Sequence, residues 1–495
     1  MPEKSLTQKT VSSVKWSAIE KFGLQGMQFI LGLIMARLLL PSDYGTVGLI
    51  AIFIAISTTF VDSGFSNALI RKLDRTETDF STIFYFNIFV ACACYLILFF
   101  AAPFIADFFK ISLLKSIVRV QSVTLIISAL MQIHVSKLTI ELNFKALAIR
   151  SILATFISGI CGIIMAYNGF GVWALVYQAI LFQLINLVFI YICCRWHPSL
   201  VFSWASFKEL GSFGSKLLAS NLLHTIYMQM NTIVIGRFFS AKDIGYYNRG
   251  AQFARLPVDT MNSVLGKVVF PIFVNLQNDD DRLINAYRKY VRALSIPVSF
   301  GCILLAATAK PLVLLLLTSR WSDSIIYLQI IAFAVVFDPI CSVNLVLLQV
   351  KGRSDLYLRL EIIKKTVSMA ILFAAIPFGV VGICVSKIIY TQFAVIVNTY
   401  YTGKFFNLGY FAQLKDFSKY LLIALVACLP AFGVANLPMV ELFCIPETAS
   451  YFLSLAIGSI IAMGLYYLLL RKDESFRYLL KIFEDKFPFL NKVFR

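Results

Sequence analysis

Apolar runs of about twenty residues, each closed by glycine, proline or a cluster of charge, recur from one end of this chain to the other. A hydrocarbon layer about 30 Å thick takes ~20 apolar residues per helical crossing, so each run reads as a membrane-spanning helix. The punctuation predicts helices over 14–40, 44–65, 80–107, 113–140, 146–167 and 171–194. A second set follows over 210–237, 244–275, 286–317, 324–350, 356–377, 381–402, 417–437 and 448–470. The expected fold class is therefore an all-α integral membrane protein of about 14 transmembrane helices. The polar, basic start followed by an apolar segment without a small-residue cleavage site predicts a retained first helix instead of a signal peptide.

An internal repeat organises these elements. Ala36-Arg37-Leu38-Leu39-Leu40-Pro41-Ser42-Asp43-Tyr44-Gly45 aligns with Gly236-Arg237-Phe238-Phe239-Ser240-Ala241-Lys242-Asp243-Ile244-Gly245. Arg37 matches Arg237, Asp43 matches Asp243, and Gly45 matches Gly245; Ala51 and Phe53 then match Ala251 and Phe253. Phe170-Gly171-Val172 and Phe378-Gly379-Val380 give a weaker echo at a similar offset. Six predicted helices separate the copies, so the two halves enter the membrane the same way. That predicts two six-helix lobes related by a pseudo-two-fold along the membrane normal, with two extra C-terminal helices outside the repeat. The expected boundaries are an N-lobe over 1–195, an inter-lobe linker over 196–209, a C-lobe over 210–403, the extra helices over 404–470 and a basic tail over 471–495.

Composition agrees and adds orientation. Of 495 residues 59% are hydrophobic and 14% charged, and the formal net charge is +18. Most lysines and arginines fall in the connections that share a side with both termini, for instance Arg71, Lys72 and Arg75, or Lys351 and Arg353. The opposite connections are short and nearly uncharged. By the positive-inside rule both termini are expected in the cytoplasm. The charge excess is then mostly a topological and anionic-lipid signal, and nucleic acid is a poor explanation for it. The ten cysteines lack metal-ligand spacing and read as small buried hydrophobes. His134, His197 and His224 are scattered, and Gly211-Ser212-Phe213-Gly214-Ser215-Lys216 has the wrong spacing for a P-loop. No connection is long enough for a glycosyltransferase or polymerase site. The chain is read as a non-enzyme.

Polar stripes inside the spans carry the candidate chemistry. In 244–275, Asn248, Gln252, Arg255, Asp259, Asn262 and Gly266 recur at alternating steps of four and three, one face of a helix, with Arg249 beside it and Pro257 inside it. The helix over 210–237 offers Lys216, His224 and Asn231 on one face, and the first helix offers Lys21, Gln25 and Gln28, with Glu20 adjacent. Such faces either pack between helices as polar glue or line a hydrated cavity. Arg249, Arg255, Lys267, Lys216 and Arg37 would suit an anionic head group such as a diphosphate. Gln28, Asn231, Asn248, Gln252, Asp259 and Asn262 would supply polar lining. Arg255 can equally pair with Asp259 one turn away. Glu20, Asp62 and Asp338 are intramembrane carboxylates suited to a cationic cargo, a coupling H⁺ or Na⁺, or structural pairing.

Several segments bear a family likeness: Ala36-Arg37 with Leu40-Pro41-Ser42-Asp43-Tyr44-Gly45, Val61-Asp62-Ser63-Gly64-Phe65-Ser66-Asn67-Ala68-Leu69-Ile70, Gly245-Tyr246-Tyr247-Asn248-Arg249, Val264-Leu265-Gly266-Lys267-Val268-Val269-Phe270-Pro271 and Lys351-Gly352-Arg353-Ser354-Asp355. In them the chain resembles the polysaccharide transporter branch of the multidrug, oligosaccharidyl-lipid and polysaccharide exporter superfamily, and within it the Wzx or WzxC-like flippases. It departs at Ile140, where the family often has a basic residue before the position of Glu141. The resemblance implies lobes that open alternately and an undecaprenyl-diphosphate oligosaccharide as cargo, its head group in a basic central cavity and its tail among membrane lipids. It also implies the bacterial inner membrane, no cofactor beyond a coupling H⁺ or Na⁺, and a polysaccharide polymerase and chain-length proteins as partners. Two other readings stay open: an ion-coupled exporter of amphipathic cations from the same superfamily, and a noncatalytic scaffold of a polysaccharide assembly complex.

Overall fold

The computed structural model describes residues 6–62, 64–437 and 446–486, and among these there is no strand. In chain order the first helices are α1 (Leu6–Leu38), α2 (Pro41–Asp62), α3 (Phe65–Arg71), α4 (Glu77–Phe109), α5 (Leu113–Gln121), α6 (Val123–Ile140), α7 (Phe144–Tyr167), α8 (Val172–Cys193) and α9 (Trp204–Phe238). They continue with α10 (Ala241–Asn275), α11 (Asp280–Ala307), α12 (Ala309–Leu316), α13 (Ser324–Val335), α14 (Asp338–Val350), α15 (Ser354–Ala375), α16 (Gly379–Phe406), α17 (Tyr410–Asn436), α18 (Glu447–Leu470) and α19 (Glu474–Lys486). Among the described residues ten stretches are long and apolar enough to cross a membrane, and one of them, Asp355–Phe406, runs over both α15 and α16. The long helices α1, α9 and α10 are outside that set because their faces are too polar, and with them the architecture is consistent with 14 crossings. The protein is a multi-pass, all-helical membrane protein.

Three predicted spans arrive as two helices each. The 113–140 span breaks at Ser122, whose Oγ donates to the Val118 carbonyl at 2.5 Å. The 286–317 span breaks at Thr308, whose Oγ1 donates to the Leu304 carbonyl at 2.7 Å. Hydroxyls that bond back to a carbonyl one turn earlier bend a helix. The 324–350 span breaks just before Pro339, which lies in the first turn of α14, the one place a helix accepts proline without losing a bond.

The repeated sequence has a structural reason. Asp43 Oδ2 accepts from the Leu40 amide at 3.0 Å at the start of α2. Asp243 Oδ2 likewise accepts from the Ser240 amide at 3.0 Å and from Ser240 Oγ at 2.6 Å at the start of α10. Each carboxylate satisfies a donor that a helix start leaves open. The two helix starts touch backbone to backbone: a Cβ at Gly45 would lie 1.6 Å from the Ala241 carbonyl oxygen, and one at Gly245 would lie 2.0 Å from that of Pro41. Only glycine fits at either position.

The chain forms two compact units, Met1–Gly245 and Tyr246–Arg495. In the first, α1 packs along α7, α7 on α8, α4 on α6, and α9 on α2 and α3. Thr59 and Thr225 Oγ1 atoms lie 3.2 Å apart, and Lys72 Nζ reaches Glu209 at 2.9 Å, so α9 is fastened to α2 at mid-length and, near its start, to the connection after α3. The segment before α9 is tied down as well: Ser203 donates its amide to Thr82 Oγ1 at 3.0 Å, and Trp196 Nε1 donates to Glu77 at 2.5 Å.

In the second unit, α17 pairs with α11 and α18, and α16 packs on α13, α14 and α15. A buried polar knot joins four of these helices. Gln413 Oε1 accepts from Tyr287 Oη at 2.6 Å and from Asn344 Nδ2 at 2.7 Å, while Thr402 Oγ1 donates to Asn344 Oδ1 at 2.8 Å. Tyr466 Oη donates to the Ile296 carbonyl at 2.8 Å, which secures α18 to α11. Interhelical bonds of this kind hold helices together where burial from water cannot.

Candidate functional site

The polar stripe of α10 leads to a charged cluster within the second unit. Arg255 Nη2 lies 3.2 Å from Asp259 Oδ1 on its own helix and 4.0 Å from Asp338 Oδ2 on α14. The helix break before Pro339 puts Asp338 in the first turn of α14, where the helix dipole favours a carboxylate. On the third wall, α16 brings Lys387 Nζ to 4.8 Å from the ring centre of buried Tyr247. Two cations and two carboxylates thus gather on three helices. The Arg255 and Asp259 side chains remain 40% and 52% exposed, so they are accessible to a ligand.

The guanidinium is the versatile group here. A fork of N–H donors held by two acidic partners can exchange one of them for a phosphate oxygen, because both acceptors suit the same bidentate geometry. A resident carboxylate that is displaced, or protonated, releases donor capacity at Arg255.

Other sequence-predicted residues take different places. Arg249 is buried, donates to Gln252 Oε1 at 2.9 Å, and lies over Trp321 with its guanidinium carbon 5.5 Å from the ring centre. Asn248 and Asn262 are partly buried and Gln252 is exposed on α10. In the first unit, Gln28 is exposed on α1 beside exposed Lys21 and Gln25, Asn231 is half-buried on α9, and Arg37 is exposed in the last turn of α1. The side chains of Lys216 and Lys267 lie outside the described residues. The carboxylates of the first unit are separate: Glu20 accepts from Ser151 Oγ at 2.8 Å, and Asp62 accepts from Gln132 Nε2 at 2.5 Å.

Three charged features escaped the periodicity argument. Lys387 is the one charged residue of α16 before Lys404 in its last turn, and the rule that an intramembrane ion marks a site could have found it. Lys364 is buried and ion-paired with Glu361 on the same helix. Arg150, one residue before the Ser151 that binds Glu20, keeps Nε and Nη1 enclosed without a hydrogen-bond partner among the described residues.

Comparison with known proteins places this architecture. Over 355 residues the chain is 24% identical to the teichuronic acid biosynthesis protein TuaB of Bacillus subtilis, covering 71% of this chain and 73% of that one. Over 421 residues it is 24% identical to the lipopolysaccharide biosynthesis protein WzxC of Escherichia coli, covering 83% and 82%. Its fold is similar to that of the lipid II flippase MurJ in an inward closed conformation, with a TM-score of 0.71 at 14% identity over 92% of this chain and 99% of the other. The family described as polysaccharide biosynthesis protein matches residues 34–326, more than half of the chain, and the chain belongs to that family.

Proposed function

We propose that this protein is a flippase that carries undecaprenyl-diphosphate-linked oligosaccharide repeat units across the bacterial inner membrane by alternating access, for O-antigen, capsule or exopolysaccharide. The observation that carries the reading is the conjunction of polysaccharide biosynthesis family membership with the fold of a lipid-linked cargo flippase in one multi-pass chain. Relatives named for teichuronic acid and lipopolysaccharide biosynthesis support it. The basic connections support cytoplasmic N- and C-termini.

In this reading Arg255 is the group that meets the diphosphate. Asp259 and Asp338 hold it while the site is empty, and cargo competes for the same donors. Binding two phosphate charges beside two carboxylates is unfavourable in a low dielectric, so uptake of H⁺ or Na⁺ at Asp338 or Asp259 compensates for it and couples the ion to the cycle. A cycle turns only if cargo and ion bind its two states differently. Lys267 and Arg249, on the same helix, would shape the surrounding potential, and Asn248, Gln252 and Asn262 would offer hydrogen bonds to sugar hydroxyls; Arg37, Lys216, Gln28 and Asn231 are the cationic and polar candidates of the first unit. Glu20 and Asp62 serve packing. A polysaccharide polymerase and chain-length proteins would take the delivered units.

The test is deletion of the gene in its host, with mass spectrometry of the lipid fraction. Accumulation of a defined undecaprenyl-diphosphate oligosaccharide together with loss of surface polysaccharide is expected. No accumulation, with sensitivity to amphipathic cations instead, would replace this reading with drug export.

A further inference from the structure

A second charged cavity lies in the same unit, away from Arg255, where α11, α17, the end of α18 and the start of α19 meet. It encloses about 410 Å³ and is lined by Arg292, Lys415, Lys419 and Lys472, with Asp416 and Asp473 among them. Both of these carboxylates are already engaged. Asp416 accepts from Arg288 Nε at 2.7 Å, Arg288 Nη2 at 2.9 Å and Arg292 Nη2 at 2.6 Å. Asp473 accepts from Lys419 Nζ at 2.5 Å, from the amides of Ser475 and Phe476 at 3.0 and 3.1 Å, and from buried Tyr420 Oη at 3.3 Å. They set the cations in place. Lys415 and Lys472 are exposed and are left without an ion pair among the described residues, while Glu474 is a third acid in the wall.

Chemistry next to the cavity identifies what would fill it. Leu422, Val426 and Leu429 follow Lys415 and Lys419 up α17 at helical spacing, and all three are exposed, as are Leu468 and Leu469 at the end of α18. In a spanning helix such a stripe faces acyl chains. A basic cavity at the head of a lipid-facing stripe has the form of a site for one amphiphile: an anionic head in the cavity, chains along the stripe. Phe476 packs its ring 6.1 Å from that of Tyr467 and holds α19 against α18, so the tail helix forms one lip of the opening.

We propose that this cavity binds the head group of an anionic glycerophospholipid such as phosphatidylglycerol. The occupant fastens the C-terminal helices to the membrane surface through Lys415 and Lys472. Asp416 and Asp473 act as positioning residues that hold Arg292 and Lys419 in the wall. The site is independent of the Arg255 cluster, so its failure leaves the transport reading as it stands.

The full chain, purified in a neutral detergent, would be titrated with phosphatidylglycerol or with phosphatidylcholine of the same acyl chains, and bound lipid counted by native mass spectrometry. Wild-type protein is expected to retain phosphatidylglycerol where phosphatidylcholine leaves no adduct. The double variant Lys415→Gln/Lys472→Gln loses that preference roughly tenfold, since each basic group near a surface contributes appreciably to anionic lipid binding. Lys415→Arg/Lys472→Arg keeps it. Equal retention of the two lipids by the wild type would overturn the proposal even if the glutamine variant failed to fold. So would loss of the phosphatidylglycerol adduct to excess inorganic phosphate, which would mark a site for a free anion, or an unchanged preference in a folded glutamine variant.

Discussion

The helices α2 and α10 begin alike and continue differently. Both open with an aspartate accepting from the amide three residues back, and both carry a glycine pressed against the other's first turn. Beyond that start, α2 is an apolar span that runs to Asp62, whereas α10 is too polar to register as one and presents Asn248, Gln252, Arg255, Asp259 and Asn262 along one face. The copies agree where backbone geometry leaves a single solution and diverge where a side chain is free to do chemistry. The carboxylates show the same contrast. Asp62 is answered by the neutral amide of Gln132, while Asp338 reaches a guanidinium that is itself exposed.

The shared start is the more fragile part. Gly45→Ala and Gly245→Ala each drive a methyl into a carbonyl oxygen that belongs to a helix and has little room to retreat, so each is expected to destabilise the fold by ~3 kcal/mol or more. Thermal unfolding in detergent and abundance in the membrane would show it. Normal stability of both variants would mean that the helix starts do not meet as closely as described. Arg255→Gln comes next, with a folded protein and a loss of export of roughly 10- to 100-fold, the worth of a charge-assisted contact. Arg255→Lys is expected to fall between, because an ammonium keeps the charge without the fork. Undiminished surface polysaccharide in cells carrying Arg255→Gln would remove Arg255 from the site.

The carboxylate comparison can be sharpened at smaller amplitude. Asp62→Asn keeps an acceptor for the Gln132 amide, so export stays within about twofold of wild type. Asp338→Asn removes a partner of Arg255 and a titratable group together; export falls by roughly fivefold, the low end of ordinary coupling energies, and its dependence on an imposed ion gradient flattens. Measuring polysaccharide export under collapsed and intact gradients separates the two variants, and equal behaviour would erase the distinction drawn between the carboxylates.

Hydropathy made most of the fold legible because a membrane helix must be long and must satisfy its own backbone. The span over 146–167 meets an observed Phe144–Tyr167, and 448–470 meets Glu447–Leu470. The breaks at Ser122 and Thr308 were not legible, since a hydroxyl inside a span signals neither a bend nor its absence until its rotamer is known. The site was half legible. Four-and-three spacing brought Arg255 and Asp259 to one face, but the approach of Asp338 and of Lys387 depends on packing between helices distant in sequence. Arg249 illustrates the converse: its position beside the stripe suggested access, and the ring of Trp321 covers it.

The smallest effect expected belongs to the tail. Burial alone would raise the carboxyl of Asp473, but Lys419 and the Phe476 amide more than offset it and hold the group below the usual carboxylate range. A depressed folded-state value means the contribution is present above the unfolded carboxyl's ~4 and is lost as pH falls through the folded value. Since Lys419 is 57% exposed, solvent screens much of the pair, and the change should be confined to the first turn of α19. Hydrogen exchange of the amides at Ser475 and Phe476 is therefore expected to quicken, relative to the intrinsic rate, as pH falls below about 4. In Asp473→Asn the protection is lower at neutral pH and no longer changes across that range. Equal protection profiles in the two proteins would show that Asp473 does not cap the helix, and would remove one of the supports for the basic cavity beside it.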